Sequence, residues 1–231
     1  MLLATHDEMN VSVVYWRRQM PVSHDGQLTI EKTPSYLITR DVPRRVKQMS
    51  RSVRLIVILR DPVTRALSDY TQANVKRRRA MPTFEQLAFI DAGGGGDNAT
   101  STVNTSWRAI QIGLYAVHVR RWLAEFSADK LYFVSGERLI ADPTTVLADV
   151  QHFLGLPRVI TDKHFRFSHK KGFPCIVHDP QRAPEQVHCL GKTKGRTHPN
   201  VEPGVLKRLR DFFRPHNEDL YRLTNINFGW P

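Results

Sequence analysis

The hydrophobic pattern changes its period several times along the chain. Three apolar runs have the length and composition of β-strands, and the second is apolar at almost every position, as expected for a strand covered on both faces of a parallel sheet. The three runs are residues 27–34 (QLTIEKTP), 53–60 (VRLIVILR) and 131–139 (LYFVSGERL).

The segments between and after these runs place apolar residues at helical spacing. Two of them open with Asp-Pro, in which the aspartate caps a helix and the proline takes the first helical position. The predicted helices cover residues 42–50, 61–72, roughly 107–126, 142–155 and 204–224, the last interrupted by Pro215. Strands that alternate with helices predict an α/β fold around a mainly parallel sheet.

Three irregular segments remain. Residues 92–106 (AGGGGDNATSTVNTS) predict a flexible surface insertion, and residues 75–82 (VKRRRAMP) are a basic run that is either a solvated turn or a contact to a polyanion. A loop-rich region holds Cys175 and Cys189, fourteen positions apart. A disulfide across a loop of that size would stabilise the fold by ~3 kcal/mol, and we favour it over two free thiols.

The net charge of the chain indicates what kind of partner it binds. The chain has 231 residues, which suits one domain, with a net charge of +12 and a pI near 10.1. That charge predicts a polyanionic partner without choosing among nucleic acid, sulfated polysaccharide, acidic membrane and phosphorylated cofactor.

No stretch approaches the ~20 apolar residues of a membrane span. The start (MLLATHDEMN) lacks the features of a signal peptide, so the chain is either soluble and untargeted or a fragment whose targeting segment lies upstream. Sequons at Asn10, Asn98 and Asn104 weakly favour the secretory pathway.

Polar side chains follow the second apolar run. Arg60 lies at the carboxyl end of that predicted strand, where ligands bind in open α/β sheets, and the helix start at Asp61 offers unpaired N–H groups. Further along one side of the helix are Arg65, Ser68 and Gln72. An arginine fork with a serine hydroxyl suits a phosphate. The alternative is that Arg60 pairs with a local carboxylate and Ser68 is merely exposed.

Two further segments are candidate anion sites. Lys32 follows the first predicted strand and is expected at the same edge, where it would neutralise a transferring group or a substrate carboxylate, or else be a simple surface lysine. Residues 191–199 (GKTKGRTHP) gather two lysines, an arginine and a histidine around Gly195. A Walker motif is excluded because its first glycine would fall at Gln186.

Other chemistries find no support in the pattern. The ten histidines are scattered and the cysteines are too far apart for a zinc knuckle, so no metal site is predicted. No Ser-His-Asp set stands out. Aromatic residues do not interleave with the basic runs as they do in an RNA-binding sheet.

Eight segments together resemble the heparan sulfate glucosamine 3-O-sulfotransferases, from about residue 12 to the C-terminus. They are EKTPSY, LRDPVTRALSDYTQ, SWRAIQIGLY, VSGERL, DPTTVLADVQHFLGL, TDKHF, KGFPC and CLGKTKGRTHP. The resemblance implies a P-loop-like α/β fold. It also implies transfer of a sulfuryl group from 3′-phosphoadenylyl sulfate (PAPS) to the 3-hydroxyl of a glucosamine in heparan sulfate.

The resemblance also implies roles for single residues. Arg60 and Ser68 match the residues that hold the 3′-phosphate of the cofactor. The loop that closes over the nucleotide is matched by Lys194, Gly195, Arg196, Thr197 and His198. The strand end that faces the sugar is matched by Lys32, Thr33, Pro34 and Ser35, with Lys32 near the reacting centre. Substrate contacts are matched by Gln72, Trp107 and Arg108, and the family disulfide by Cys175 and Cys189.

The N-terminal segment departs from the family. Family members carry upstream a glycine- and lysine-rich loop that grips the 5′-phosphosulfate, and a glutamate that acts as general base. Counting back from VVYWRRQMP places that glutamate at about position 1, and Glu8 does not align with it. We therefore expect residues 1–231 to form a single sulfotransferase domain without its N-terminal cofactor-binding loop, anchor and stem. Such a chain would have an exposed sheet edge and little or no catalysis.

Two functional classes follow. The first is a sulfotransferase that acts on heparan sulfate with PAPS as donor and no metal, as a glycosylated monomer in the Golgi lumen or at its membrane. The second is a non-catalytic heparan-sulfate-binding protein that uses the basic groove. Nucleic-acid binding rests on charge alone and is not expected.

Overall fold

Seven strands and eight α-helices are assigned in the part of the chain that the computed structural model describes, residues 24, 27–76, 81–90, 101–168, 172–191 and 195–231. The helices are α1 (Val42–Met49), α2 (Pro62–Lys76), α3 (Phe84–Ala88), α4 (Arg108–Gly113), α5 (Tyr115–Leu123), α6 (Gly136–Ala141), α7 (Pro143–Leu154) and α8 (Pro203–Thr224). The strands are β1 (Leu55–Leu59), β2 (Phe89–Ile90), β3 (Thr102–Val103), β4 (Leu131–Ser135), β5 (Phe165–Ser168), β6 (Phe173–Val177) and β7 (Val187–His188). Short 3₁₀ helices occur at Ala128–Lys130 and Asp162–His164.

β1 and β4 pair in parallel, in a register that runs from Leu55 opposite Leu131 to Leu59 opposite Ser135. The predicted α/β arrangement is therefore confirmed, and both strands end at the same edge. Helices α5 and α8 cover one face of the pair, where buried Leu59 packs with side chains of both helices. A second buried cluster joins α2, α3, α4 and α8 around Phe213.

The other face of β1 differs from the prediction. Ile56 and Ile58 are 37% and 59% exposed, so the described residues do not cover the strand on both faces. The predicted strand over residues 27–34 is also wrong. That segment is irregular because no described strand lies beside it to complete a ladder, and Ile30 is 71% exposed.

The helix starts and stops follow the local sequence signals. Asp61 accepts a hydrogen bond from the Thr64 backbone N–H at 2.9 Å, and Asp142 accepts one from Thr145 at 3.1 Å. Both Asp-Pro predictions are confirmed, as is the end of α7 at Gly155, whose φ of 72° suits a glycine.

Two helix predictions are corrected by tertiary packing. The helix predicted over roughly 107–126 divides into α4 and α5 at Leu114, whose ψ of 61° is not helical. The missing side chain at Gly113 leaves room for the fully buried Phe213, since an added Cβ would lie 2.8 Å from its ring. Conversely, α8 runs through Pro215 without a break, because buried residues on both sides of the proline, Phe213 and Leu220, hold the two halves in the core.

The cysteine region contains more regular structure than predicted. Strands β5, β6 and β7 form an antiparallel sheet, in which buried Cys175 and Val177 alternate with exposed Ile176. The disulfide between Cys175 and Cys189 is present, as predicted. It ties the end of this sheet to the basic loop that follows.

Several predicted features fall outside the described residues, namely Asn10, Asn98, and parts of the basic run 75–82 and of the insertion 92–106. The end of that insertion forms β3, which pairs with β2. The Asn104 amide nitrogen donates to the Leu87 carbonyl at 3.0 Å, so this sequon side chain is engaged within the fold.

Gly113→Ala is expected to destabilise the protein by about 1–3 kcal/mol through overpacking. The added carbon would lie 2.8 Å from the ring of Phe213 and 3.0 Å from Pro62. Gly204→Ala, at a helical glycine where the added carbon would make only an ordinary contact with the Glu202 carboxylate at 3.7 Å, is the matched control and should be neutral or slightly stabilising. Denaturant unfolding measures both, and equal effects would contradict the packing argument.

Stability should also fall as the pH drops below about 6.5 because of His118. Its Nε2 lies 2.9 Å from the Gln111 carbonyl, and its Nδ1 faces the Arg121 guanidinium. Burial lowers the pKa of His118, and the charges of Arg121 and Arg65 lower it further. The unfolded chain therefore takes up a proton at a higher pH than the folded one, which weakens folding as the pH falls.

Urea unfolding at about pH 7.5 and about pH 5.5 tests this coupling. His118→Gln should lose less stability than the unmodified chain between the two pH values. An identical loss in both proteins would show that His118 does not contribute.

Candidate functional site

The candidate site lies where β1 and β4 end. Arg60 follows β1, and Asp61 directly precedes α2 at this edge. The prediction of unpaired N–H groups at this helix start is wrong, because the Asp61 N–H donates to Glu137, and the Val63 and Thr64 N–H groups donate to the Asp61 carboxylate.

Gly136 follows β4 and approaches the Leu59 carbonyl so closely that a Cβ there would lie 3.1 Å from its oxygen. The absence of a side chain at this glycine lets the two strand-to-helix junctions touch.

Three of the predicted residues meet at this edge. Arg60 Nη1 donates to Ser68 Oγ at 3.3 Å, and Ser68 Oγ lies 2.9 Å from His198 Nε2. Ser68 lies almost two turns into α2, whereas His198 comes from the basic loop. The Tyr115 hydroxyl fixes the backbone by donating to the Arg60 carbonyl at 2.8 Å. Arginine, hydroxyl and imidazole together form a donor-rich anion site.

The basic loop also contacts α2 one turn further along. Arg196 Nη1 donates to Gln72 Oε1 at 2.8 Å, and Gly195 adopts a φ of 64°, a left-handed conformation that favours glycine. Thr197 is exposed, and Lys194 lies outside the described residues. The loop is therefore attached to α2 through His198 on Ser68 and through Arg196 on Gln72.

The clustering of these side chains changes the pKa of His198. Partial burial lowers the pKa of His198, and the adjacent positive charge of Arg60 lowers it further. Arg65, predicted on the same side of α2 as Ser68, instead pairs with Asp69 and donates to the Ala109 carbonyl. It thus fastens α2 to α4 and does not reach the cluster.

The predicted sugar-side segment occupies a separate position. Thr33 Oγ1 donates to Glu31 at 2.6 Å, the Ser35 carbonyl accepts from Thr39, and Lys32 and Pro34 are exposed. The turn that follows is held on α5 through Arg121 on the Ile38 carbonyl and the Trp122 indole on the Leu37 carbonyl. Among the described residues, no hydrogen bond or ion pair joins residues 32–35 to the Arg60 cluster.

Trp107 and Arg108 lie at the start of α4. The Trp107 ring packs edge-on against buried Phe84 with centroids 5.5 Å apart, so part of its role is structural. Arg108 is exposed. Helix α4 reaches α2 through the contact between Arg65 and Ala109.

Sequence reasoning missed Glu137, which follows β4. Its carboxylate accepts from the Asp61 backbone N–H at 2.9 Å and from the Trp230 indole at 3.2 Å, and lies 3.8 Å from Arg60 Nε. The sequence does contain the signal, because Glu137 lies near the carboxyl end of a predicted strand just as Arg60 does, and parallel strands end at one edge.

Within the described ranges, no group of three or more His, Cys, Asp or Glu side chains is placed to hold a metal ion. Nor does any helix in those ranges have both the length and the apolar character needed to cross a bilayer.

Comparison with known proteins identifies the class. The sulfotransferase domain model matches residues 10–223, so the chain belongs to the sulfotransferase family. In structure it is similar to a sulfotransferase from Alicyclobacillus acidocaldarius, with a TM-score of 0.56, 21% identity, and coverage of 84% of this chain and 63% of that one. This likeness confirms the predicted fold.

Two human proteins show which kind of sulfotransferase this chain is most readily compared with in sequence. The chain is 51% identical over 218 residues to human heparan sulfate glucosamine 3-O-sulfotransferase 3B1, covering 94% of this chain and 54% of that protein. It is 46% identical over 218 residues to human heparan sulfate glucosamine 3-O-sulfotransferase 6, covering 94% and 61%. The predicted resemblance is confirmed, and the chain spans about half the length of the first of these relatives.

Binding of sulfate to the cluster should strengthen as the pH falls below about 6.5. The pKa of His198 is lowered in the free protein, and a bound anion would favour the protonated ring, so anion and proton bind together. Sulfate keeps its charge over this range, which makes calorimetric titration with sulfate the appropriate measurement. His198→Gln should remove the pH dependence, and an unchanged dependence in that variant would contradict the assignment.

Proposed function

We propose that the protein to which this chain belongs transfers a sulfuryl group from PAPS to the 3-hydroxyl of a glucosamine in heparan sulfate. The observation that carries the proposal is the Arg60–Ser68–His198 cluster at a helix start, in a chain about half identical to heparan sulfate glucosamine 3-O-sulfotransferases. The cluster fits an oxyanion because its donors face one another, whereas Glu137, which pairs with Arg60, lies on the Nε side of its guanidinium.

The cluster would hold the 3′-phosphate of the nucleotide. Arg60 would offer its terminal nitrogens as a fork, and Ser68 a hydroxyl. The loop formed by Lys194, Gly195, Arg196, Thr197 and His198 would cover the nucleotide. The contact between Arg196 and Gln72 supports this role, because it holds the loop along the same face of α2 as Ser68.

The sugar would lie beside the nucleotide. Lys32 would neutralise charge on the transferring group, and Thr33, Pro34 and Ser35 would face the sugar ring. Further contacts to the polysaccharide are proposed for Gln72, Trp107 and Arg108. The net charge of +12 favours a polyanionic substrate of this kind.

PAPS supplies a sulfuryl group bonded to a phosphate that is a good leaving group. In the transfer, the oxygen of the sugar hydroxyl bonds to sulfur, the bond between sulfur and phosphate oxygen breaks, and the hydroxyl proton passes to a base. The residues of this chain orient the donor and stabilise the negative charge on the leaving nucleotide. We assign the base to none of the described residues.

The proposal carries further expectations. The disulfide between Cys175 and Cys189 supports an oxidising compartment, and we propose the Golgi lumen or its membrane. Residues 1–231 would act as one sulfotransferase domain and as a monomer, without a metal.

The test is calorimetric titration with 3′,5′-adenosine diphosphate, the nucleotide product. Arg60→Ala should weaken binding by roughly 10- to 100-fold, because a charge-assisted contact is lost. Arg158→Ala, which removes an exposed arginine after α7, is the charge-matched control and should bind like the unmodified chain.

Two outcomes would contradict the proposal. One is a folded chain that does not bind the nucleotide, and the other is an equal loss in both variants. Saturable heparin binding without nucleotide binding or sulfate transfer would favour the non-catalytic heparan-sulfate-binding alternative.

A further inference from the structure

Glu137 connects four parts of the molecule that meet behind the anion site. One oxygen, Oε1, accepts from the Asp61 backbone N–H at 2.9 Å and lies 3.8 Å from Arg60 Nε. The other, Oε2, accepts from Ser135 Oγ and from the Trp230 indole, both at 3.2 Å. The end of β1, the start of α2, the end of β4 and the C-terminal segment therefore share one carboxylate.

The Arg60 side chain lies between Glu137 and Ser68. Arg60 Nε is buried and makes no hydrogen bond with described groups, but it forms an ion pair with Glu137 Oε1 at 3.8 Å. Arg60 Nη1 points the other way, towards Ser68. A guanidinium held at its Nε side by a carboxylate presents its terminal nitrogens to a ligand.

The C-terminal segment supports Glu137 from its other side. The Trp230 ring stacks on Phe228 with centroids 4.7 Å apart and lies 5.7 Å from the ring of Tyr115. The Trp230 backbone N–H donates to the Tyr221 hydroxyl at 3.2 Å. Because Tyr115 also bonds to the Arg60 carbonyl, this aromatic cluster holds both Arg60 and Glu137.

We propose that Glu137 is a positioning residue of the anion site, and that Trp230 keeps its carboxylate in place. The identity of the ligand rests on the proposed function, whereas the ordering of Arg60 does not. Whether anion binding becomes stronger or weaker when Glu137 is removed distinguishes two roles for this residue. If Glu137 acted only through its charge, removing it would strengthen anion binding, whereas a positioning role predicts weaker binding.

The first experiment needs no ligand. In a ¹H–¹⁵N spectrum of the full chain, Arg60→Lys identifies the Nε–H signal of Arg60. Glu137→Gln should shift and broaden this signal, because Arg60 loses its ionic neighbour. Glu125→Gln removes a comparable carboxylate, which pairs with Lys47 at 3.3 Å, and should leave the Arg60 signal unchanged. An unchanged Arg60 signal in Glu137→Gln would overturn the proposal.

The second experiment is titration with 3′,5′-adenosine diphosphate. Glu137→Gln should weaken binding about tenfold and Glu125→Gln should not, since a misoriented guanidinium forfeits a charge-assisted contact. Equal or tighter binding in Glu137→Gln would overturn the proposal. If the unmodified chain does not bind, the proposed function fails at its nucleotide, and the spectrum alone decides whether Glu137 orders Arg60.

The role of Trp230 is tested separately. Trp230→Phe keeps an aromatic ring but removes the indole N–H, and should shift the Arg60 signal and weaken binding roughly threefold. Trp122→Phe is the matched control, because its indole donates to the Leu37 carbonyl at 3.2 Å, away from the site. Identical behaviour of the two variants would overturn the part assigned to Trp230.

Discussion

The parallel pairing of β1 with β4 is the constraint on which the rest of the site depends. Parallel strands end at the same edge, so the residues that follow them meet although they are far apart in sequence. Arg60 and Glu137 face each other for this reason, and α2 begins at that edge with the Asp61 N–H bonded to Glu137. The basic loop then needs only to reach one face of α2 to complete a donor-rich cluster.

Local and periodic signals allowed much of this arrangement to be predicted. The Asp-Pro openings identified two helix starts, the rule about strand ends identified Arg60, and helical spacing identified Ser68. Features that depend on distant partners could not be predicted in this way. The helix breaks at Leu114, next to the close approach of Gly113 to Phe213. The continuity of α8 past Pro215 reflects burial on both sides, and the Arg65 guanidinium donates to a carbonyl on α4.

Some residues of the candidate site were predicted from the sequence and others were not, for the same physical reason. A motif records which residues occur but not which of them touch. The structure brings Arg60, Ser68 and His198 together and adds Arg196 with Gln72, yet it leaves Lys32 exposed on a segment supported by α5. Glu137 escaped notice because a single carboxylate among many cations looks like an ordinary surface partner.

The disulfide has a consequence for the loop that follows it. Cys189 precedes Arg196 by seven residues, so even a fully extended chain places Arg196 at most about 25 Å from the bond. A short tether of this kind gives the attached group an effective concentration at its target in the millimolar range. The covalent link would thus set an upper limit on the distance between the antiparallel sheet and Arg196, and reduction would relax that limit even where α2 itself is unchanged.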